Sequence, residues 1–115
     1  MTPDQLRDFC LALPQAEESF PFGEGLSVFK TTGNGKIFAL SALDASPLSV
    51  SLKCDPEESV AVRQQFAAIT PGYHLNKKHW VSVALDDRTV PDDLVEQLLH
   101  DSHALVRPKV PRPRA

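Results

Sequence analysis

Between Pro71 and Val83 the chain reads Pro-Gly-Tyr-His-Leu-Asn-Lys-Lys-His-Trp-Val-Ser-Val, with no acidic residue among them. Imidazoles can ligate a metal or move a proton, and lysine ammonium groups can meet phosphates. Tyr73 and Trp80, the only Tyr and Trp of the chain, offer flat ring faces. Three chemistries are therefore open in this segment, and each needs partners.

Metal binding finds none. His74 and His79 lie five apart, and the further ligands on offer, Cys10 and Cys54, belong to no CxxC or HxxxH pattern. No metal and no cofactor are expected. Nucleophilic catalysis fares no better, because no serine sits in a GxSxG elbow. Cys10 falls on an apolar helical stripe and reads as packing. Cys54 precedes a helix start, where a thiol pKa can fall, so it is the better candidate for a reactive thiol. The acidic pairs Glu17/Glu18, Glu57/Glu58, Asp86/Asp87 and Asp92/Asp93 sit at helix starts and in loops, where capping and solvation account for them. Gly23-Glu24-Gly25 and Gly33-Asn34-Gly35 match no phosphate loop, since neither leads from a strand into a helix. No catalytic residue is assigned, and the expectation is a protein that is not an enzyme. What survives is phosphate contact by Lys77 and Lys78, with hydrogen bonds from Asn76 and His79. Tyr73 and Trp80 are expected to serve the structure, as a tryptophan at a strand start commonly anchors a core.

At 115 residues, 42% hydrophobic and 23% charged, the chain has the size and composition of one globular domain. No apolar run approaches the roughly 20 residues of a membrane span, and the amino terminus lacks the marks of a signal peptide. Two cysteines without a secretion signal read as free thiols in the cytoplasm. The net charge of −3 conceals an asymmetry. Residues 107–115 carry Arg107, Lys109, Arg112 and Arg114 and no acid, which leaves 8 basic against 15 acidic residues in 1–106. A body of net −7 repels nucleic acid at long range, so binding would have to rest on a local basic patch.

The elements that must position that patch are legible. Thr2-Pro3-Asp4-Gln5 has the form of a capping box, and Leu6, Phe9, Cys10 and Leu13 recur at helical spacing until Pro14. Gln15–Gly25 reads as a loop with buried aromatic anchors at Phe20 and Phe22. Leu26–Lys30 and Lys36–Leu43 read as strands joined by Thr31-Thr32-Gly33-Asn34-Gly35, a tight hairpin, with Leu26 and Val28 set against Ser27. Leu48–Lys53 alternates with Leu48, Val50 and Leu52 inward. A second helix starts at Asp55-Pro56, with Ser59, Val62, Phe66 and Ile69 as its inner face, and Thr70-Pro71-Gly72 stops it. Tyr73–His74 forms a short strand, and Trp80–Leu85 a longer one. Pro91-Asp92-Asp93 opens a final helix with Leu94, Val95, Leu98, Leu99, Ser102, Leu105 and Val106 buried. The Pro-rich residues 107–115 read as an extended tail beyond a domain of residues 1–106. The order is α-β-β-β-α-β-β-α, an α+β two-layer sandwich with an antiparallel sheet.

Ser51–Glu57 (Ser-Leu-Lys-Cys-Asp-Pro-Glu) together with Thr70–Trp80 resembles the MmcQ/YjbR family of small bacterial proteins. Further matches are Ser19-Phe20-Pro21-Phe22-Gly23, Val28-Phe29-Lys30, Lys36–Leu40 and Val90–Leu94, in family order through residues ~3 to ~106. The resemblance implies a YjbR-like fold, similar to secretion-chaperone-like two-layer domains. It also implies DNA binding through β-hairpins likened to a double wing. Lys77, Lys78 and Trp80 match the family pattern, whereas Ser82 departs from it. Duplex DNA is thus the expected partner of a cytoplasmic monomer, held by Lys77, Lys78, His79 and Asn76, with Lys30 and Lys36 as a second contact across the first hairpin. The alternative is a module that binds a protein or small ligand without nucleic acid.

Overall fold

The computed structural model of the chain describes residues 1–72 and 76–108. Three helices and six strands follow in the order α1 (Pro3–Ala12), β1 (Ala16–Ser19), β2 (Ser27–Thr31), β3 (Ile37–Ser41), β4 (Ser49–Lys53), α2 (Pro56–Gln65), β5 (Ile69–Pro71), β6 (Trp80–Ala84) and α3 (Asp92–Val106). The fold is α+β. All strand pairs are antiparallel, in the spatial order β1-β2-β3-β4-β6-β5.

Local chemistry sets the helix starts. Thr2 accepts from the Gln5 backbone and Gln5 bonds back to the Thr2 N–H, a complete capping box. Leu6 and Cys10 then bury one face of α1. Asp55 stands at the cap position of α2 without making a side-chain cap bond, so Pro56 and the acids Glu57 and Glu58 define that start instead.

The sheet has two unlike faces. Leu6, Cys10, Val62, Val95, Leu98 and Leu99 from the helices share one core with Phe29, Phe38, Val50, Leu52, Val81 and Val83 from the strands. On the other face of β4 and β6 lie Ser49, Ser51, Lys53, Trp80, Ser82 and Ala84, none of them buried. A β-bulge between β2 and β3 pairs Phe29 with Ala39 but Lys30 with Ile37, which leaves Phe38 as an extra residue packed in the core. Ser102 fixes α3 to the sheet: its hydroxyl donates to the Phe38 carbonyl at 2.6 Å and accepts from the Lys53 N–H at 2.9 Å. His103, also buried, donates from Nε2 to the Pro14 carbonyl at 2.7 Å and stands edge-on to Phe38.

Several expectations need correction. The segment after α1 contains an edge strand, β1, rather than only loop. Its glutamates mask the strand pattern, yet Glu18 is held by Arg7 Nε at 2.8 Å and Glu17 pairs with Lys30. Phe20 and Phe22 are 48% and 69% exposed, so they are not buried anchors. In β2 the core residue is Phe29; Val28 is buried outside that core, against its partner Leu40. The second helix ends at Gln65, and Ile69 belongs to β5, because Phe66 caps the helix in an extended conformation. The expected strand at Tyr73–His74 lies outside the described residues. In α3 Leu105 is 51% exposed, and His103 takes a buried place instead.

Candidate nucleic-acid interface

Antiparallel topology decides which turns share an end of the sheet. β2 finishes at Thr31, β4 finishes at Lys53, and β6 begins at Trp80 in register with Lys53. The β2–β3 turn, the end of β4 and the turn leading into β6 therefore lie at one end. Val106 joins them, because its carbonyl accepts from Asn34 Nδ2 at 2.8 Å. All five lysines of residues 1–106, namely Lys30, Lys36, Lys53, Lys77 and Lys78, lie toward this end, and Arg107 follows Val106 there.

Asn76 shapes the turn that carries two of them. Its side chain accepts from the Lys78 N–H at 3.0 Å, and its carbonyl accepts from the N–H groups of His79 and Trp80, each at 3.0 Å. Asn76 thus closes the turn, leaving Lys77 and Lys78 exposed and His79 half-buried. The bond to Lys78 uses only the Asn76 side-chain oxygen, and its Nδ2 is the group that would donate to a phosphate.

The first hairpin is tied down. Gly35 adopts φ +68°, the left-handed conformation the turn needs. Asn34 accepts from the Lys36 N–H and the Thr31 hydroxyl and reaches across to Val106. A Cβ on Gly33 would meet Pro108 Cγ at 2.6 Å, so only glycine permits this approach of the tip to the end of α3. Lys36 is exposed beside the tip. Lys30 is one step inward and 3.6 Å from Glu17, its cross-strand neighbour, so its charge is partly answered within the sheet.

Trp80 is not a core anchor. It is half-buried on the helix-free face, outside the core cluster, with Lys53 beside it on β4. Its other flank is the Gly72 backbone, whose N–H bonds the Trp80 carbonyl at 2.9 Å. A Cβ on Gly72 would stand 2.8 Å from Trp80 Cβ, so glycine keeps that flank clear of a side chain. In the next row the hydroxyls of Ser51 and Ser82 are 2.9 Å apart.

The helix layer at the same end carries acids. Asp55, Glu58 and Asp101 surround Cys54, and burial followed by the charges of Asp101 and Asp55 raises the Glu58 carboxyl. Cys54 is buried, and its thiol is pushed up to about 12, first by burial and then by Glu58, Asp55 and Asp101. Burial and Glu18 push Cys10 to about 12 as well. The expectation of a lowered Cys54 pKa is therefore overturned: burial, helped by the nearby carboxylates, outweighs the helix start. Among the described residues no group of His, Cys, Asp and Glu is arranged to hold a metal. His74 lies outside them.

A model of the YjbR family matches residues 11–105. The chain belongs to the YjbR family. Among its relatives, the uncharacterized protein YbdF of Escherichia coli O157:H7 is 42% identical over 96 residues, 84% of this chain and 76% of that one. The uncharacterized protein YjbR of Escherichia coli K12 is 34% identical over 103 residues, 90% of this chain and 85% of that one. The crystal structure of the Deinococcus radiodurans protein DR2400 superposes with a TM-score of 0.84 at 46% identity, covering 90% of this chain and 77% of that one. A Pseudomonas syringae protein follows with a TM-score of 0.80 at 25% identity, covering 93% and 100%.

Within this YjbR fold, Lys53 and Arg107 are the residues that sequence reasoning left out of the basic patch. The signal was available, because Lys53 is the outward end of a cleanly alternating strand. What could not be read was its register partner, Trp80, since β4 and β6 are separated by a helix and a further strand. No helix among the described residues is long and apolar enough to cross a membrane.

Proposed function

We propose that this YjbR-family protein is a non-enzymatic DNA-binding protein that uses the lysine end of its sheet. The observation that carries the reading is the convergence of Lys36, Lys53, Lys77, Lys78 and Arg107 on one end of a body that is otherwise acidic. Five cations lie on neighbouring turns and strand ends, with Lys53 on the helix-free face and the acids Asp55, Glu58 and Asp101 in the helix layer. A local group of cations is what phosphate contact needs when net charge opposes approach. Lys30, half-committed to Glu17, contributes less, and His79 can add a hydrogen bond beside the lysines. Support for the non-enzymatic part comes from the thiols, which at about 12 are poor nucleophiles at neutral pH, and from the engagement of His103 with the Pro14 carbonyl.

Fluorescence anisotropy of labelled DNA against salt tests this reading. Each phosphate contact adds about 0.9 to the slope of log K on log salt for duplex and about 0.7 for single strands. Lys77→Ala/Lys78→Ala should lower both affinity and slope. An unchanged affinity and slope would remove these residues from the site.

A second reading, a protein-binding module, draws on the opposite end. Phe20 and Phe22 are exposed there, and a hollow of about 440 Å³ beside Phe20 is lined by Asp4, Glu24 and Asp44 together with the Arg7–Glu18 ion pair. Aromatic rings rimmed by carboxylates suit a basic, apolar segment of a partner. Phe20→Ser/Phe22→Ser should then abolish capture of that partner while leaving DNA affinity unchanged.

A further inference from the structure

We infer that the DNA bound at the lysine end is single-stranded, and that it lies across the helix-free face of the sheet with a base stacked on Trp80. This rests on the DNA-binding reading above and specifies the form of its ligand.

The face provides the parts in one row and just beside it. Lys53 and Trp80 are register partners on β4 and β6, both half-buried and both directed away from the core. Lys30 and Ile37, register partners on β2 and β3, lie about one residue beyond this row, offset by the β-bulge. From β2 to β6 the face crosses three strand spacings, about 14 Å, so phosphates could meet Lys53 and Lys30 while a base meets the ring between Lys53 and Gly72. The exposed Lys77 and Lys78 stand just before the start of β6, where the backbone of a strand leaving Trp80 would pass. Beyond the row, Ser51, Ser82 and Thr70 are small and polar, so a second nucleotide could approach the sheet closely.

The same geometry disfavours a duplex. Base edges in a duplex are reached by an element that enters a groove, a helix or a two-stranded ribbon. The ribbon on offer, β2–β3, has its tip fastened to the end of α3 by the Asn34–Val106 bond and the Gly33–Pro108 contact. A ring lying on a sheet face recognises the flat face of an unpaired base, which a duplex keeps stacked inside.

Because Trp80 is the only tryptophan, its emission reports on this one site. The full chain should be titrated at low salt with a short oligothymidylate and, separately, with a duplex of equal length. The expected result is a saturable change in Trp80 emission with the single strand at lower concentration than with the duplex. Trp80→Ala should weaken single-strand affinity by about tenfold, measured by anisotropy of labelled oligonucleotide, and Trp80→Phe should retain most of it. Lys53→Glu should weaken binding of both forms, so if Trp80→Ala does not fold, the test remains decisive through Trp80→Phe and the single-strand preference of the unaltered chain. A duplex that binds as tightly as the single strand, with Trp80 emission unmoved, would overturn this inference and leave the DNA-binding reading standing. Absence of binding by either form would overturn both.

Discussion

The two ends of the sheet are built from the same antiparallel strands yet differ in their cations. The lysines gather at one end, where the acids Asp55, Glu57, Glu58 and Asp101 belong to the helix layer, and the other end is mostly acidic. At one end lie Lys36, Lys53, Lys77, Lys78 and Arg107. At the other, the connections after β1, β3 and β6 and the starts of α1 and α3 present Glu24, Asp44, Asp86, Asp87, Asp4, Asp92 and Asp93, with Arg88 among them. Helix starts account for part of the acidic end, since carboxylates are favoured beside helix amino termini. Asp86 has a further structural use, accepting from the Leu48 N–H at 2.8 Å, and Asp92 accepts from the chain's amino terminus at 3.2 Å. Among the described residues no comparable side-chain use is seen for Lys77 or Lys78, which are exposed on a turn that Asn76 closes. The difference teaches that the acidic end is largely explained by folding, whereas the lysine end has cations in excess of what the fold uses.

That contrast can be broken most forcefully by reversing the lysines. Lys53→Glu/Lys77→Glu/Lys78→Glu should lower DNA affinity at low salt by about 100-fold or more, given the steep dependence of affinity on the number of phosphate contacts, with an unchanged melting temperature. Next in size is the tie that holds α3 to this end. Ser102→Ala would leave the buried Phe38 carbonyl and Lys53 N–H without their partner and should cost about 1–3 kcal/mol in urea denaturation. A third effect appears only in alkali. Both thiols have folded pKa values of about 12 against an ordinary 9.0, so the folded state holds protons that the unfolded state releases. Their contribution to stability is therefore full below pH 9 and lost as pH rises toward 12. Native protein at pH 8 should accordingly leave both thiols unreactive to a thiol reagent until it is unfolded. The smallest effect sharpens the comparison from the other end: Asp44→Asn/Asp93→Asn should change DNA affinity by about twofold or less, since these charges lie a sheet length away and are screened.

Much of this architecture was legible because local chemistry and tertiary packing agree. The capping box at Thr2, the inward alternation of Leu48, Val50 and Leu52, and the turn at Gly33–Gly35 each state their structure within a few residues. The misreadings fall where long-range partners override local pattern. β1 reads as an acidic loop until Arg7 and Lys30 answer its glutamates. Phe20 and Phe22 look like core residues by type, but no helix covers them. His103 looks like a surface residue until the Pro14 carbonyl and Phe38 receive it. The lysines at 77 and 78 were visible as a patch. Their meeting with Lys53 and Arg107, and the placement of Trp80 outside the core, depend on the β4–β6 register and on the Asn34–Val106 bond, which join residues 27 and 72 positions apart.

The most direct test is to follow backbone amide resonances while a short single-stranded oligonucleotide is titrated into the protein at low salt. The account predicts that shifts concentrate at Lys30–Lys36, Ser51–Cys54, Asn76–Ser82 and Arg107, and spare Asp44, Asp86–Val90 and Asp92–Asp93. Shifts centred on the acidic end, or none at either end at saturating oligonucleotide, would contradict it.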